Sequence, residues 1–145
     1  MKYLIYGFVA VLVLAFMRGA LRQHRANHDI WLDLSRSHSI SSAQIEVLEG
    51  IPYTVGLLRK GDNIHSVRVA ITEEGMFLAG WSKRCVLIPW DSFEVLEVIP
   101  QPKGESTACV RIKTDGQNCS NYDVPWSPDL TDRVSKLAPR NIGAH

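Results

Sequence analysis

Cysteine is scarce in this chain of 145 residues: only Cys85, Cys109 and Cys119 occur, and an odd number leaves one thiol over under any pairing. No Cys-x-x-Cys pair is present, so the common zinc and thioredoxin-like signatures are missing. Neither a glycine-rich phosphate loop nor a G-x-S-x-G elbow occurs, which removes the sequence marks of nucleotide binding and of α/β-hydrolase chemistry. An excess of one charge is also lacking. The formal net charge is +1 with 21% charged residues, so no basic field points to nucleic acid. There is no internal repeat and no low-complexity tract, which excludes a solenoid. The length allows one domain.

What the chain does have is a concentration of apolar residues at its start. Tyr3–Met17 reads YLIYGFVAVLVLAFM, uncharged and flanked by Lys2 and Arg18. A span needs about 20 apolar residues for roughly 30 Å of hydrocarbon, whereas this core covers only about 22 Å at 1.5 Å per residue. Gly19, Ala20 and Leu21 extend it, Arg18 can snorkel, and Tyr3 and Tyr6 suit the opposite headgroup boundary. A cleaved signal peptide would want small residues after the run, and Arg18 stands there instead. Being apolar all round, the segment does not read as an amphipathic core helix. Residues 1–21 are therefore expected to be a transmembrane anchor. Arg18, Arg22 and Arg25 follow it while only Lys2 and the amino terminus precede it, so the positive-inside rule puts the C-terminal part in the cytoplasm of a single-pass inner or plasma membrane protein. The same arginines can meet anionic headgroups.

Residues 22–50 read as a membrane-proximal segment, helical up to about Ser37 with Ile30, Trp31 and Leu34 as an apolar edge that lies near the membrane surface or packs on the domain. Ser35–Ser42 reads as a serine-rich linker. Ser41 and Gln44 have capping-box spacing, which predicts a short helix over Ser42–Glu49 ended by Gly50. From Ile51 the pattern changes to strands separated by turns. Ile51–Leu58, Ser66–Ile71, Met76–Ala79, Cys85–Ile88 and Phe93–Ile99 are candidates, the last with Phe93, Val95, Glu97 and Ile99 opposed to Glu94, Leu96 and Val98. Trp90 reads as core. Ala108–Thr114 and Asn118–Trp126 form a hairpin, and matching the apolar faces selects a three-residue loop with Val110 against Tyr122 and Ala108 against Val124. That register sets Cys109 against Asp123 and Cys119 against Lys113, about 13 Å out of step at 3.3 Å per residue, too far for a disulfide. Ser127 as N-cap and Pro128 in the first turn start a helix striped by Leu130, Val134 and Leu137.

The expected fold is mainly β (α+β): a strongly bent antiparallel sheet or half-barrel of six to seven strands over residues 51–140, with a C-terminal helix and one preceding transmembrane helix. This order resembles the pleckstrin-homology-like fold. The stretch Val67–Val98, VRVAITEEGMFLAGWSKRCVLIPWDSFEVLEV, is similar to bacterial pleckstrin-homology-like and GRAM-like proteins, in which a Gly turn leads to a strand ending in an Ile-Pro-Trp-Asp/Ser step. It also resembles small bacterial membrane-anchored proteins of uncharacterised role with a Trp after the anchor, here Trp31. The resemblance implies a fold and a location but no reaction. The basic loop of phosphoinositide-binding members is represented only by Arg59 and Lys60.

His24 and His28 have the i,i+4 spacing of metal ligands. No Glu stands between them, a third ligand would have to come from Asp29 or farther away, and they read as solvated. His38, His65 and His145 are expected in turns or the tail, and Glu73-Glu74 at a tight turn before Gly75. No catalytic, cofactor or metal set emerges. Trp81, Lys83 and Arg84 combine an aromatic with two cations in a loop and, with Arg18, Arg22 and Arg25, are the candidate membrane or partner contacts. The expected function is thus a membrane-anchored cytoplasmic binding module, not an enzyme, that engages a protein partner or a membrane surface and no nucleic acid. The alternatives are an enzyme or metal-dependent sensor with a site assembled from distant strands, and an accessory subunit of a membrane complex.

Overall fold

The computed structural model describes residues 2–38, 40–41, 45–46, 48, 50–80, 84–100, 106–114 and 118–138, with the side chains of 2–5, 23–24 and 26–29 excepted. Helix α1 (Lys2–Ser37) is continuous over 36 residues. It is followed by β1 (Tyr53–Lys60), β2 (Asn63–Ile71), β3 (Gly75–Gly80), β4 (Cys85–Pro89), β5 (Phe93–Pro100), β6 (Ser106–Lys113), β7 (Cys119–Trp126) and helix α2 (Pro128–Leu137). The seven strands form one antiparallel sheet in the order β4-β3-β2-β1-β7-β6-β5. The sheet curls into a half-barrel, as alternating apolar positions on seven short strands require if one face is to enclose a core.

Alternation explains most of the packing. Val67, Val69 and Ile71 of β2 meet Met76 and Leu78 of β3 and Val86 and Ile88 of β4 on the inner face. Ala108, Val110, Ile112, Tyr122 and Val124 do the same from β6 and β7. The β6–β7 register is the one the apolar faces predict: Val110 opposes Tyr122, Ala108 opposes Val124, Cys109 opposes Asp123 and Cys119 opposes Lys113. Cys109 and Cys119 are free thiols. Lys60 opposes Asn63 across the β1–β2 turn, where Gly61 takes φ 59°, a left-handed conformation that costs glycine nothing. Trp90 follows β4 in a single 3-10 turn and is core as predicted, its indole N–H donating to the Glu73 carbonyl at 3.0 Å. Glu73 and Glu74 are exposed at the turn before Gly75.

Four details differ from the pattern reading. β1 runs two residues farther along the chain than the apolar run suggests. In β5 a register shift between Phe93 and Val95 breaks the simple alternation, so Phe93 and Leu96 are buried while Val95 is exposed; one extra residue at a bulge turns the strand over. Ser35–Ser37, read also as the start of the linker, belong to α1, and beyond them buried His38 donates from Nε2 to the Lys113 carbonyl at 3.0 Å. His65 lies inside β2, not in a turn. Of the short helix expected over 42–49, Ile45, Glu46 and Leu48 are helical and the other positions lie outside the described residues.

Helix α2 starts as its sequence predicts, with Ser127 Oγ accepting the Leu130 N–H and Pro128 in the first turn. Leu130 and Val134 enter the core, and Trp126 Nε1 donates to Thr131 Oγ1 at 2.8 Å. Arg133 donates to the Ile71 carbonyl at 3.1 and 3.3 Å, tying α2 to the end of β2.

Helix α1 divides into two halves. From Tyr6 to Arg22 every side chain is exposed, Phe16 at 79% and Tyr6 at 71%. Near its C-terminal end Ile30, Trp31 and Leu34 are buried in the sheet's core. The apolar edge read in the sequence is thus domain core, the second of the two places expected for it. Among the described residues no helix is long and apolar enough to cross a membrane.

Candidate binding surfaces

The open end of the half-barrel is the first place where polar groups converge. Here α1 closes the core, held by contacts from Trp31, Asp33 and, just past its end, His38. Trp31 packs edge-on against the His65 ring, centroids 5.5 Å apart. It also lies on Gly80, where an added Cβ would come within 2.7 Å of the indole, so the strand can receive this ring only because position 80 has no side chain. Asp33 pairs with Lys60, whose ammonium also sits 5.5 Å from the Tyr122 ring centroid. His38 reaches Lys113.

The electrostatics of this end follow from burial. Partial burial alone would lower the Lys60 pKa, but the Asp33 carboxylate and Tyr122 outweigh it and hold it above the ordinary lysine value. Burial pushes the Tyr122 hydroxyl up, partly offset by nearby Lys60 and Ser120, neither of which meets hydrogen-bond geometry with it. Burial, and then the Arg84 guanidinium, hold His65 below the ordinary histidine value. These groups fasten a helix to a sheet. No nucleophile stands beside a base among them.

A second convergence lies on the outer face of β1–β4. Arg68, Ala70, Phe77, Ala79 and Cys85 point away from the core, and the register aligns them as Arg68↔Ala79 and Ala70↔Phe77 between β2 and β3. Leu48 packs on Ala70, Phe77 and Ala79, with Ile40 and Ile51 beside it, as a second and smaller core. Between this cover and the sheet is a cavity of about 730 Å³ whose walls also include Tyr53, Val55 and Glu46. A smaller space of about 360 Å³ adjoins it, sharing Ile45, Arg84 and Cys85 and reaching Trp31 and Leu32 of α1.

The sequence candidates distribute unevenly over these places. Arg18, Arg22 and Arg25 are exposed along α1 and line neither cavity. Arg84 is exposed and borders both cavities, its carbonyl accepting the Gly80 N–H at 2.7 Å. Trp81 and Lys83 lie outside the described residues, as do the side chains of His24 and His28. No group of three or more metal-ligating side chains occurs among the described residues. Sequence reasoning missed Arg68, Tyr53 and the Lys60–Asp33 pair. A signal for the outer cavity was present in β3, where Gly75–Gly80 is buried at every position. An apolar run without alternation marks a strand covered on both faces.

Compared with known protein families, curated proteins and solved structures, the chain matches none.

Proposed function

We propose that this protein is a membrane-anchored binding module: the N-terminal half of α1 enters the bilayer, and the half-barrel beyond it engages a protein partner on the cytoplasmic side. The observation that carries the reading is the exposed apolar half of α1, which presents Phe8, Val11, Leu12, Leu14 and Phe16 to its surroundings and then continues unbroken into the domain's core. A helix apolar on all sides has no stable place in water. Residues 1–21 form the proposed anchor, its uncharged core Tyr3–Met17 flanked by Lys2 and Arg18. Seven antiparallel strands followed by one closing helix support the pleckstrin-homology-like reading of the domain.

The helix geometry favours a protein over the bilayer surface as the partner. With Arg18 at the interface, the residues up to Ile30 extend about 18 Å at roughly 1.5 Å each. The half-barrel is then held clear of the headgroups by a helical stalk, with Arg22 and Arg25 on the stalk and Arg84 beyond it.

Alkaline carbonate extraction of membranes from cells expressing the full chain tests the anchor. The protein is expected in the pellet. A charge at the centre of a span costs about 3 kcal/mol, so Leu12→Arg should move most of it to the supernatant. Extraction of the unsubstituted chain would refute the span. Protease added to intact cells should leave the domain whole, and digestion there would reverse the orientation.

A further inference from the structure

We infer that the cavity on the outer face of β1–β4 is a binding site for one long aliphatic chain ending in a carboxylate, a free fatty acid. Its size, about 730 Å³, lies within the range of roughly 300–1,000 Å³ typical of small-ligand sites. It is a cavity with two built walls and not a bare sheet face. One wall is the sheet, through Ala70, Phe77 and Ala79; the other is the covering segment, through Ile45, Leu48 and Ile51. Both walls are apolar and neither belongs to the main core, so the space accepts hydrocarbon without disturbing the half-barrel.

The polar groups on the lining choose the head. Arg68 and Arg84 are both exposed on it, and Glu46 is its single acid among the described lining residues. Neither arginine has a salt-bridge partner among the described residues. The Arg68 guanidinium lies 5.4 Å from the Tyr53 ring centroid, within cation–π range, which holds it at the cavity wall beside Tyr53. Two guanidinium groups against one carboxylate complement a single anionic head, and a planar carboxylate matches the guanidinium fork. A neutral alcohol of equal chain length would use the walls and forfeit the arginines. The choice of a free acid over a bilayer lipid rests on the anchored reading above, because the stalk keeps the cavity away from the headgroups. The cavity itself does not depend on that reading.

The test uses the full chain in nanodiscs of zwitterionic phosphatidylcholine, photolabelled with a palmitate analogue carrying a mid-chain diazirine and mapped by peptide mass spectrometry. Label is expected in two places: on the apolar half of α1, from analogue dissolved in the bilayer, and on peptides spanning 45–55 and 68–79. The second set should fall at least tenfold with excess palmitate and much less with hexadecanol. Ala70→Trp should fill the cavity and remove that label. Val55→Trp, at an exposed position of β1, does the same from the open side if the buried substitution prevents folding. Arg68→Gln with Arg84→Gln should erase the preference for acid over alcohol. Label confined to α1 overturns the inference, as does equal competition by hexadecanol. Loss of the label when the disc is made of phosphatidylglycerol would assign the cavity to a bilayer lipid and overturn the free acid as occupant. Absence of label on α1 with the cavity labelled would refute the anchor and the stalk argument with it, leaving the competition and phosphatidylglycerol results to decide the cavity's occupant.

Discussion

At the scale of single residues, His65 gives the clearest solution signature. Burial and Arg84 disfavour its imidazolium in the folded protein, whereas the unfolded chain takes up the proton near the usual value of about 6.5. Stability should be constant above that value, fall as pH drops through it, and level off below the folded-state pKa. Urea midpoints at pH 7.5 and 5.5 check this, and His65→Gln should remove that part of the difference. The Lys60–Asp33 pair has the opposite sense, since a raised lysine pKa contributes below its ordinary value and is lost only at strongly alkaline pH. Both side chains are partly exposed, 31% and 41%, so a double-mutant cycle of Lys60→Met and Asp33→Asn should give a coupling of at most about 1 kcal/mol. Gly80 offers a steric test. Gly80→Ala presses on Trp31 and should cost about 1–3 kcal/mol, measured by thermal melting. Gly19→Ala, with nothing within 4 Å, should not destabilise the protein. None of these three sites was legible in the sequence. Each depends on α1 meeting strands some thirty to fifty positions away, and no local pattern encodes that meeting.

Elements were more legible than their junctions. Helix α2 could be read residue by residue because capping is local: Ser127, Pro128 and the Leu130/Val134 stripe all act within two turns. Ser127→Ala should lower stability by about 1 kcal/mol, a little more if its 2.8 Å contact with Thr54 Oγ1 is also lost; chemical denaturation reads the difference. The β6–β7 hairpin was legible to its register because a one-residue slip would turn Val110 and Val124 outward. The β5 bulge was not, since an inserted residue leaves the sequence alternating even as the strand turns over. The outer cavity went unread for a related reason. Its cover includes Ile45, Leu48 and Ile51, whose spacing is too short to reveal which face they rest on.

On the scale of the whole molecule, the domain begins inside the helix. Ile30, Trp31 and Leu34 are core residues of the half-barrel, and deleting one large buried side chain costs about 2–5 kcal/mol against a total stability of about 5–15 kcal/mol. A chain starting at residue 22 should therefore fold, whereas one starting at residue 39 should not, as amide NMR dispersion would report. The sequence left this open, because Ile30, Trp31 and Leu34 read as an apolar edge suited equally to a membrane surface or to the domain.

On the anchored reading proposed above, the unbroken helix also sets how the domain searches for what it binds. A coil of the same length would let the half-barrel wander through a thick layer of cytoplasm. A stiff rod, with its apolar half in the proposed bilayer, would confine it to a thin slab at nearly fixed height, where encounters with other membrane-bound molecules become two-dimensional and their effective concentration rises without any new contact. A glycine-serine break inserted between Arg22 and Ile30 would leave anchor and core intact while blurring that height, and association with a partner held at the same level should weaken accordingly.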